Sequence, residues 1–324
     1  MTVVVFCHLP QQEDTFYLQY LASVILSSFF FVSGYLKKPA ISYKTSLKKY
    51  SYSLLTPYIL YNVIYYPYWL AKFYIDHGGI GINDAIKPII GTFLLQFNSD
   101  ISCELNGVTW FLPALFLMHM VTEFCNRQKH GKTIMLILTI ICIMLYGANK
   151  YYHYAPYITY HGFIRCLCFF FMGNLYRQSN RFKRQNSIIT DIQFKKELAV
   201  GILSLTISLL VFYWHIHEEI FVLHIILYYI VNLFSVYGII YLCRCLNKVR
   251  FRLVTLISIG TMLIFGLHRI LIGLIDYTLE KATHIFDITY NWYECLILAL
   301  VIEAILLPFI FLTKRHFPIL LGKK

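Results

Sequence analysis

The chain is written as long apolar runs separated by short polar loops. The runs fall at approximately 17–36, 51–75, 107–125, 133–148, 157–176, 197–214, 220–243, 253–279 and 292–313. Each is close to the roughly 20 residues that an α-helix needs to cross a bilayer. The pattern predicts an all-α fold: a polytopic transmembrane helical bundle of nine full spans. Residues 1–8 read as the last two turns of a tenth, which at about 1.5 Å per residue reach only about 12 Å. The expectation is therefore a misplaced start or a truncated first helix, and no secretory signal, since a basic leader and a small-residue cleavage site are both missing. The stretch Ile86 to Phe97, inside the long loop 76–106, is too short to span and predicts a re-entrant or interfacial segment. The basic segment 177–196 predicts an amphipathic surface connection. No linker or internal repeat divides the chain, so residues 1–324 are expected to form one domain.

Charge refines this picture. The segments 37–50, 126–132, 177–196, 244–252 and 314–324 hold 22 of the 28 lysines and arginines. The intervening loops hold acids such as Asp76, Asp84, Asp100, Glu104, Glu218 and Glu280. The two sets alternate through all nine runs. The positive-inside rule then makes the basic set, and the C-terminus with it, cytoplasmic. A net charge of +12 is thus a topology signal and a contact for anionic lipids, and no nucleic-acid partner is expected. With 58% hydrophobic and only 14% charged residues, an ordinary soluble domain is excluded. The nine cysteines sit mostly in or beside spans and suggest no disulfide framework. No His, Cys or Asp cluster has metal-ligand spacing, so no metal is expected.

Ionisable groups inside a bilayer are costly, and each is a candidate for function. Lys72, Asp276 and Glu294 lie near span ends, where snorkelling is the plainer reading. His119 and Glu123, four apart on one helical face, can pair with each other. Glu303, near mid-span, can close a hydrogen bond between helices. Arg165 and Arg269 each want an anion or a carbonyl, which a phosphate-bearing ligand supplies. His8, at the outward end of the N-terminal stub, is either structural or a proton carrier, because histidine alone titrates near neutrality unperturbed. The Ser33-Gly34 pair serves helix packing or a hydrogen bond.

Taken in order, these segments resemble the membrane-bound acyltransferase family 3, in particular its smaller sugar O-acetyltransferases of the fucose 4-O-acetylase-like kind. The resemblance rests on Val3-Val4-Val5-Phe6-Cys7-His8, then on Phe29-Phe30-Phe31-Val32-Ser33-Gly34-Tyr35-Leu36. It continues through Lys48-Lys49 leading to Leu54-Leu55-Thr56-Pro57-Tyr58, and Thr109-Trp110-Phe111-Leu112-Pro113. Phe169-Phe170-Phe171-Met172-Gly173-Asn174-Leu175 follows, and finally Ile257-Ser258-Ile259-Gly260-Thr261-Met262 ahead of His268.

The resemblance implies a ten-helix fold and an enzyme of a bacterial inner or plasma membrane. Such an enzyme moves an acetyl or other acyl group from cytosolic acyl-CoA to a hydroxyl of an envelope glycan or sugar-lipid. His8 falls at the family's catalytic histidine and would act as general base. Ser33, Trp110, Arg165, His268 and Arg269 become candidates for oxyanion or substrate contacts, and Lys48 and Lys49 for the phosphates of coenzyme A. Lysines stand where larger members carry an Arg-x-x-Arg motif. Acetyl-CoA would be a donor substrate rather than a tightly bound cofactor. The competing reading is a transporter or flippase for a lipid-linked sugar, although no internal repeat favours it.

Overall fold

The computed structural model describes residues 1–12, 15–152, 158–179, 191–246, 252–285 and 287–323. Among them every regular element is helical, and only the isolated bridges Gln11–Tyr290 and Ser99–Ser102 pair strand-like backbone. In chain order the helices are α1 (Thr2–Phe6), α2 (Phe16–Leu36), α3 (Tyr43–Tyr50), α4 (Thr56–His77), α5 (Ile82–Phe93), α6 (Phe111–Arg127) and α7 (Gly131–Tyr151). They continue as α8 (Ile158–Gln178), α9 (Asp191–His217), α10 (Phe221–Leu246), α11 (Arg252–Ile259), α12 (Thr261–Thr283) and α13 (Trp292–His316). A π-turn, Ser51–Leu55, joins α3 to α4 just ahead of Pro57, whose missing N–H leaves an i−4 carbonyl unserved.

Among the described residues seven helices are long and apolar enough to cross a membrane: α2, α7, α10, α12 and α13 over their full lengths, Gly107–Arg127, and Gln193–His217 of α9. The chain is therefore a multi-pass integral membrane protein. The nine runs expected from the sequence all coincide with helices, but two differ in character. Helices α4 (22 residues) and α8 (21 residues) have span length, about 33 and 31 Å. They fall short in apolarity because they carry polar residues such as Asn62, Lys72 and Asp76, or His161, Arg165 and Asn174. Asn62 and Asn174 are buried, so part of that polarity faces the protein rather than lipid. The run 253–279 is also not one helix, since it breaks at Gly260 between α11 and α12.

Small residues set the tightest packing. Helices α2 and α8 touch backbone to backbone: a side chain at Gly34 would place its Cβ 2.0 Å from the carbonyl oxygen of Phe170. One at Gly173 would sit equally close to that of Phe31. The Ser-Gly pair and the Phe-x-x-Gly sequence are thus two halves of one contact. Helix α9 packs along α10, and α10 crosses α2. Helix α1 docks on α13, where Thr2 Oγ1 donates to Glu303 Oε2 at 2.8 Å. That is the interhelical bond expected of a mid-span carboxylate.

The loop after α4 turns back into the bundle, as a re-entrant segment would. Beyond α5 the backbone adopts left-handed conformations at Leu95 (φ 59) and Gln96 (φ 66). Such residues cost about 1–3 kcal/mol each and persist only where their surroundings fix them. Here Thr159 Oγ1 donates to Leu95 O at 2.6 Å, and the fully buried Gln96 amide donates to Asn62 Oδ1 and Thr109 Oγ1, each at 3.0 Å. Asn106 Nδ2 extends the network to Gly266 O of α12 at 3.1 Å. The connection expected at 177–196 lies largely outside the described residues.

Candidate active site

Helix α1 ends two residues before His8, whose N–H donates to Val5 O at 3.0 Å. The following turn is clamped to the loop between α12 and α13. Gln12 N–H donates to Tyr290 O (3.1 Å), Tyr290 N–H donates to Pro10 O (2.9 Å), and the Tyr290 hydroxyl donates to Asp276 Oδ1 at 2.7 Å. Burial, reinforced by that carboxylate, holds the Tyr290 phenol well above its ordinary pKa, so it remains a donor. His8 is thereby held beside α12. Its ring centre lies 5.2 Å from that of His268, 260 residues away in sequence, with the planes tilted by 36°.

His268 is fully buried. Its Nδ1 lies 2.9 Å from Ile264 O and 3.0 Å from Phe265 O. Carbonyl oxygens only accept, so Nδ1 carries the proton and Nε2 holds a lone pair. Nε2 has no partner among the described residues. Arg269, the next residue, is exposed and makes no ion pair among them.

Two cavities meet at His8. One is a polar cleft of about 590 Å³ between α4 and α12. Tyr65, Tyr68 and Trp69 line one wall, Arg269 and Gly273 the other, and Lys72, Asp76 and Asp276 stand toward its mouth. A second hollow of about 500 Å³, sharing Tyr68, Lys72 and Asp276, widens that mouth. From Asp276 to Arg269 is seven residues, so the cleft descends about 10 Å along α12. The other cavity, about 230 Å³, is mostly apolar and is lined by Val4, Leu26, Phe29, Trp110 and Phe265. Trp110 keeps its place because Gly162 of α8 has no side chain: a Cβ there would lie 1.9 Å from the indole.

The fold thus gathers His8, Trp110, His268 and Arg269, and separates the other candidates from them. The Ser33 hydroxyl donates to Phe29 O of its own helix at 2.9 Å and is not aimed at His8. Arg165 points elsewhere, donating from Nε to the Tyr228 hydroxyl at 2.5 Å with its guanidinium 4.6 Å from that ring. Lys48 and Lys49 lie exposed on α3 at the opposite, basic end of the bundle. There the buried Lys37 pairs with Glu123 at 2.6 Å, and Arg127 grips the other Glu123 oxygen at 2.7 Å. Burial lowers the Lys37 pKa against the pull of Glu123, and burial pushes that of Tyr50 up to about 12. Glu123 does not pair with His119, whose ring stacks on Tyr50 with centres 3.8 Å apart. Lys72 and Asp276 line the cleft rather than merely snorkelling, whereas Glu294 caps its own helix through Asn291.

Sequence reading missed three participants. Tyr290 lies in a short loop with no motif. Gln96 and Asn106 lie in a loop read only for its apolar stretch. A polar amide flanked by apolar residues at span depth, as at Asn62 and Gln96, is the signal that points to them.

A many-helix membrane bundle with an imidazole shared between a polar cleft and an apolar chamber has the layout of a membrane-embedded enzyme. The chain belongs to the membrane-bound acyltransferase family 3: the family's model, described as an acyltransferase domain, matches residues 1–312. No curated protein and no solved structure matches it.

Proposed function

We propose that the protein transfers an acetyl group from cytosolic acetyl-CoA to a hydroxyl of an envelope glycan or sugar-lipid, with His8 as general base. The observation that carries this reading is that His8 lines both cavities. One has the aromatic walls and mixed charges suited to a sugar; the other has the apolar lining suited to an acyl thioester. The acceptor hydroxyl descends the cleft, and His8 takes its proton as the oxygen attacks the thioester carbonyl. The C–S bond then breaks, and the proton passes from the imidazole to the departing thiolate. Charge developing on the carbonyl oxygen meets the Trp110 indole N–H from the chamber side and the Arg269 guanidinium from the cleft side. The Nε2 lone pair of His268 accepts the single N–H of neutral His8, directly or through one water, and so leaves the other His8 nitrogen free as the base.

The basic end is cytoplasmic by the positive-inside rule, and the C-terminus with it. Lys48 and Lys49 hold the coenzyme A phosphates there as point charges. In this reading α4 and α8 complete nine spans, α1 contributes the end of a tenth, and the membrane is a bacterial inner or plasma membrane. Surrounding anionic lipids contact the basic loops.

The test uses purified protein in nanodiscs, radiolabelled acetyl-CoA and cell-envelope extract. A positioned base contributes about 10²–10⁴-fold, so His8→Ala should lower label transfer at least about 100-fold while leaving the unfolding midpoint in place. Transfer that survives the substitution would retire His8 as base. No transfer by the native protein would favour movement of a lipid-linked sugar instead.

A further inference from the structure

A second polar cluster lies at the same end of the bundle as the cleft, but where α7, α8, α9 and α10 converge. Arg165 is stacked and hydrogen-bonded on Tyr228. The Tyr228 ring lies 6.1 Å from that of His215, which is 3.8 Å from that of His224. His224 Nε2 in turn contacts Lys150 Nζ. On the other side His161 reaches the group through Tyr146, at ring distances of 5.4 and 5.6 Å. None of these residues lines the cavities that meet at His8.

Among the described residues the charge balance of the cluster is incomplete. Arg165 lies within electrostatic range of Lys150, His161 and His215. Neither Arg165 nor Lys150 has an ion-pair partner among the described residues. Among the described residues the one carboxylate acting on the group, Glu218, is felt at His224 and already accepts the Ile220 N–H at 2.8 Å. His215, only 8% exposed, leaves Nδ1 without a partner. Cations held inside a bundle of apolar helices are retained where something compensates them.

We infer that this cluster binds the phosphate group of an anionic ester, apart from the acyl-transfer cleft. Guanidinium, ammonium and imidazole N–H groups together make the donor set that phosphate oxygens satisfy best. Lys150 and His215 fall in the last turn of their helices, His224 in the first turn of α10, and Arg165 seven residues into α8. All are therefore within about 10 Å of the helix ends, the depth of lipid headgroups. The shared chemistry admits two sources, a lipid headgroup phosphate or a soluble phosphate. The inference does not depend on the acyl-transfer reading.

The experiment uses the full chain in phosphatidylcholine nanodiscs. One arm titrates labelled pyrophosphate; the other adds a minor fraction of phosphatidylglycerol and counts retained molecules by native mass spectrometry. Arg165→Gln and Lys150→Gln are compared with Lys132→Gln, an exposed cation at the opposite end. A charge-assisted contact contributes enough that either cluster variant should bind about tenfold more weakly, with Lys132→Gln unchanged. Should Arg165→Gln fail to fold, Lys150→Gln decides. Saturable pyrophosphate binding assigns a soluble source, and selective phosphatidylglycerol retention assigns a lipid. Absence of both from the native protein, or equal binding by the cluster variants, overturns the site.

Discussion

The Lys37–Glu123–Arg127 group and the His8–His268–Arg269 group are both polar clusters inside an apolar bundle, yet they treat their partners oppositely. In the first, both oxygens of Glu123 are engaged, one by Lys37 and one by Arg127. Arg177 Nη1 donates to Lys37 O at 3.0 Å, so even the backbone there is tied. In the second, among the described residues, Nε2 of His268 has no hydrogen-bond partner and Arg269 makes no ion pair. Closed polarity fastens helices to each other. Open polarity is available to a ligand.

The contrast can be broken by experiment. Glu123→Ala would strand the buried Lys37 ammonium, and removing one partner of a buried pair costs about 3–5 kcal/mol. Thermal unfolding in detergent should show that loss; a variant as stable as the native protein would remove the distinction between the clusters. Gln96→Ala leaves the Leu105 N–H, now 3.0 Å from Gln96 Oε1, without its acceptor. Leaving such a buried group unsatisfied costs about 1–3 kcal/mol, read in the same assay.

His268→Ala belongs to the open cluster and should spare stability more than turnover. Its kcat should fall about tenfold, roughly 1.4 kcal/mol, with KM for the acyl donor little changed and the pH profile displaced. A change in KM alone would make His268 a binding residue. The smallest effect concerns Tyr290. Its pKa is raised in the fold above the unfolded value near 10, so the unfolded chain releases the proton first. The associated stability is complete below about pH 10 and is lost as pH rises further. Stability should therefore decline less steeply above pH 10 in Tyr290→Phe than in the native protein, and parallel curves would refute the clamp.

The sequence alone reveals the helical runs because hydrocarbon thickness writes its length into the chain. The family motifs are legible too, since Gly34 and Gly173 mark places where backbones must touch. What stays hidden depends on which helices meet. Arg165 and Arg269 look alike in sequence, each a guanidinium in an apolar run, but α8 turns one toward Tyr228 and α12 turns the other toward His8's cleft. Ser33 is a free hydroxyl in the sequence, but in the fold it is bonded four residues back, to Phe29 O. The apposition of His8 and His268 joins the two ends of the chain, which no spacing rule describes. The span count is less legible for a related reason: α4 and α8 have span length but trade apolarity for polar contacts inside the protein.

The re-entrant amide network also decides how the bundle resists leakage. A protein whose polar cleft reaches the level of His8 has removed a good part of its own dielectric barrier. Gln96, Asn62, Thr109 and Asn106 lie in the core with nearly every hydrogen-bonding atom engaged by another of the group or by backbone. Such a knot offers water few vacant donors or acceptors, and a file of ions would have to dismantle it bond by bond. The cleft can stay open at one end without the protein becoming a pore, insulated by interlocked amides where hydrocarbon would otherwise do the task.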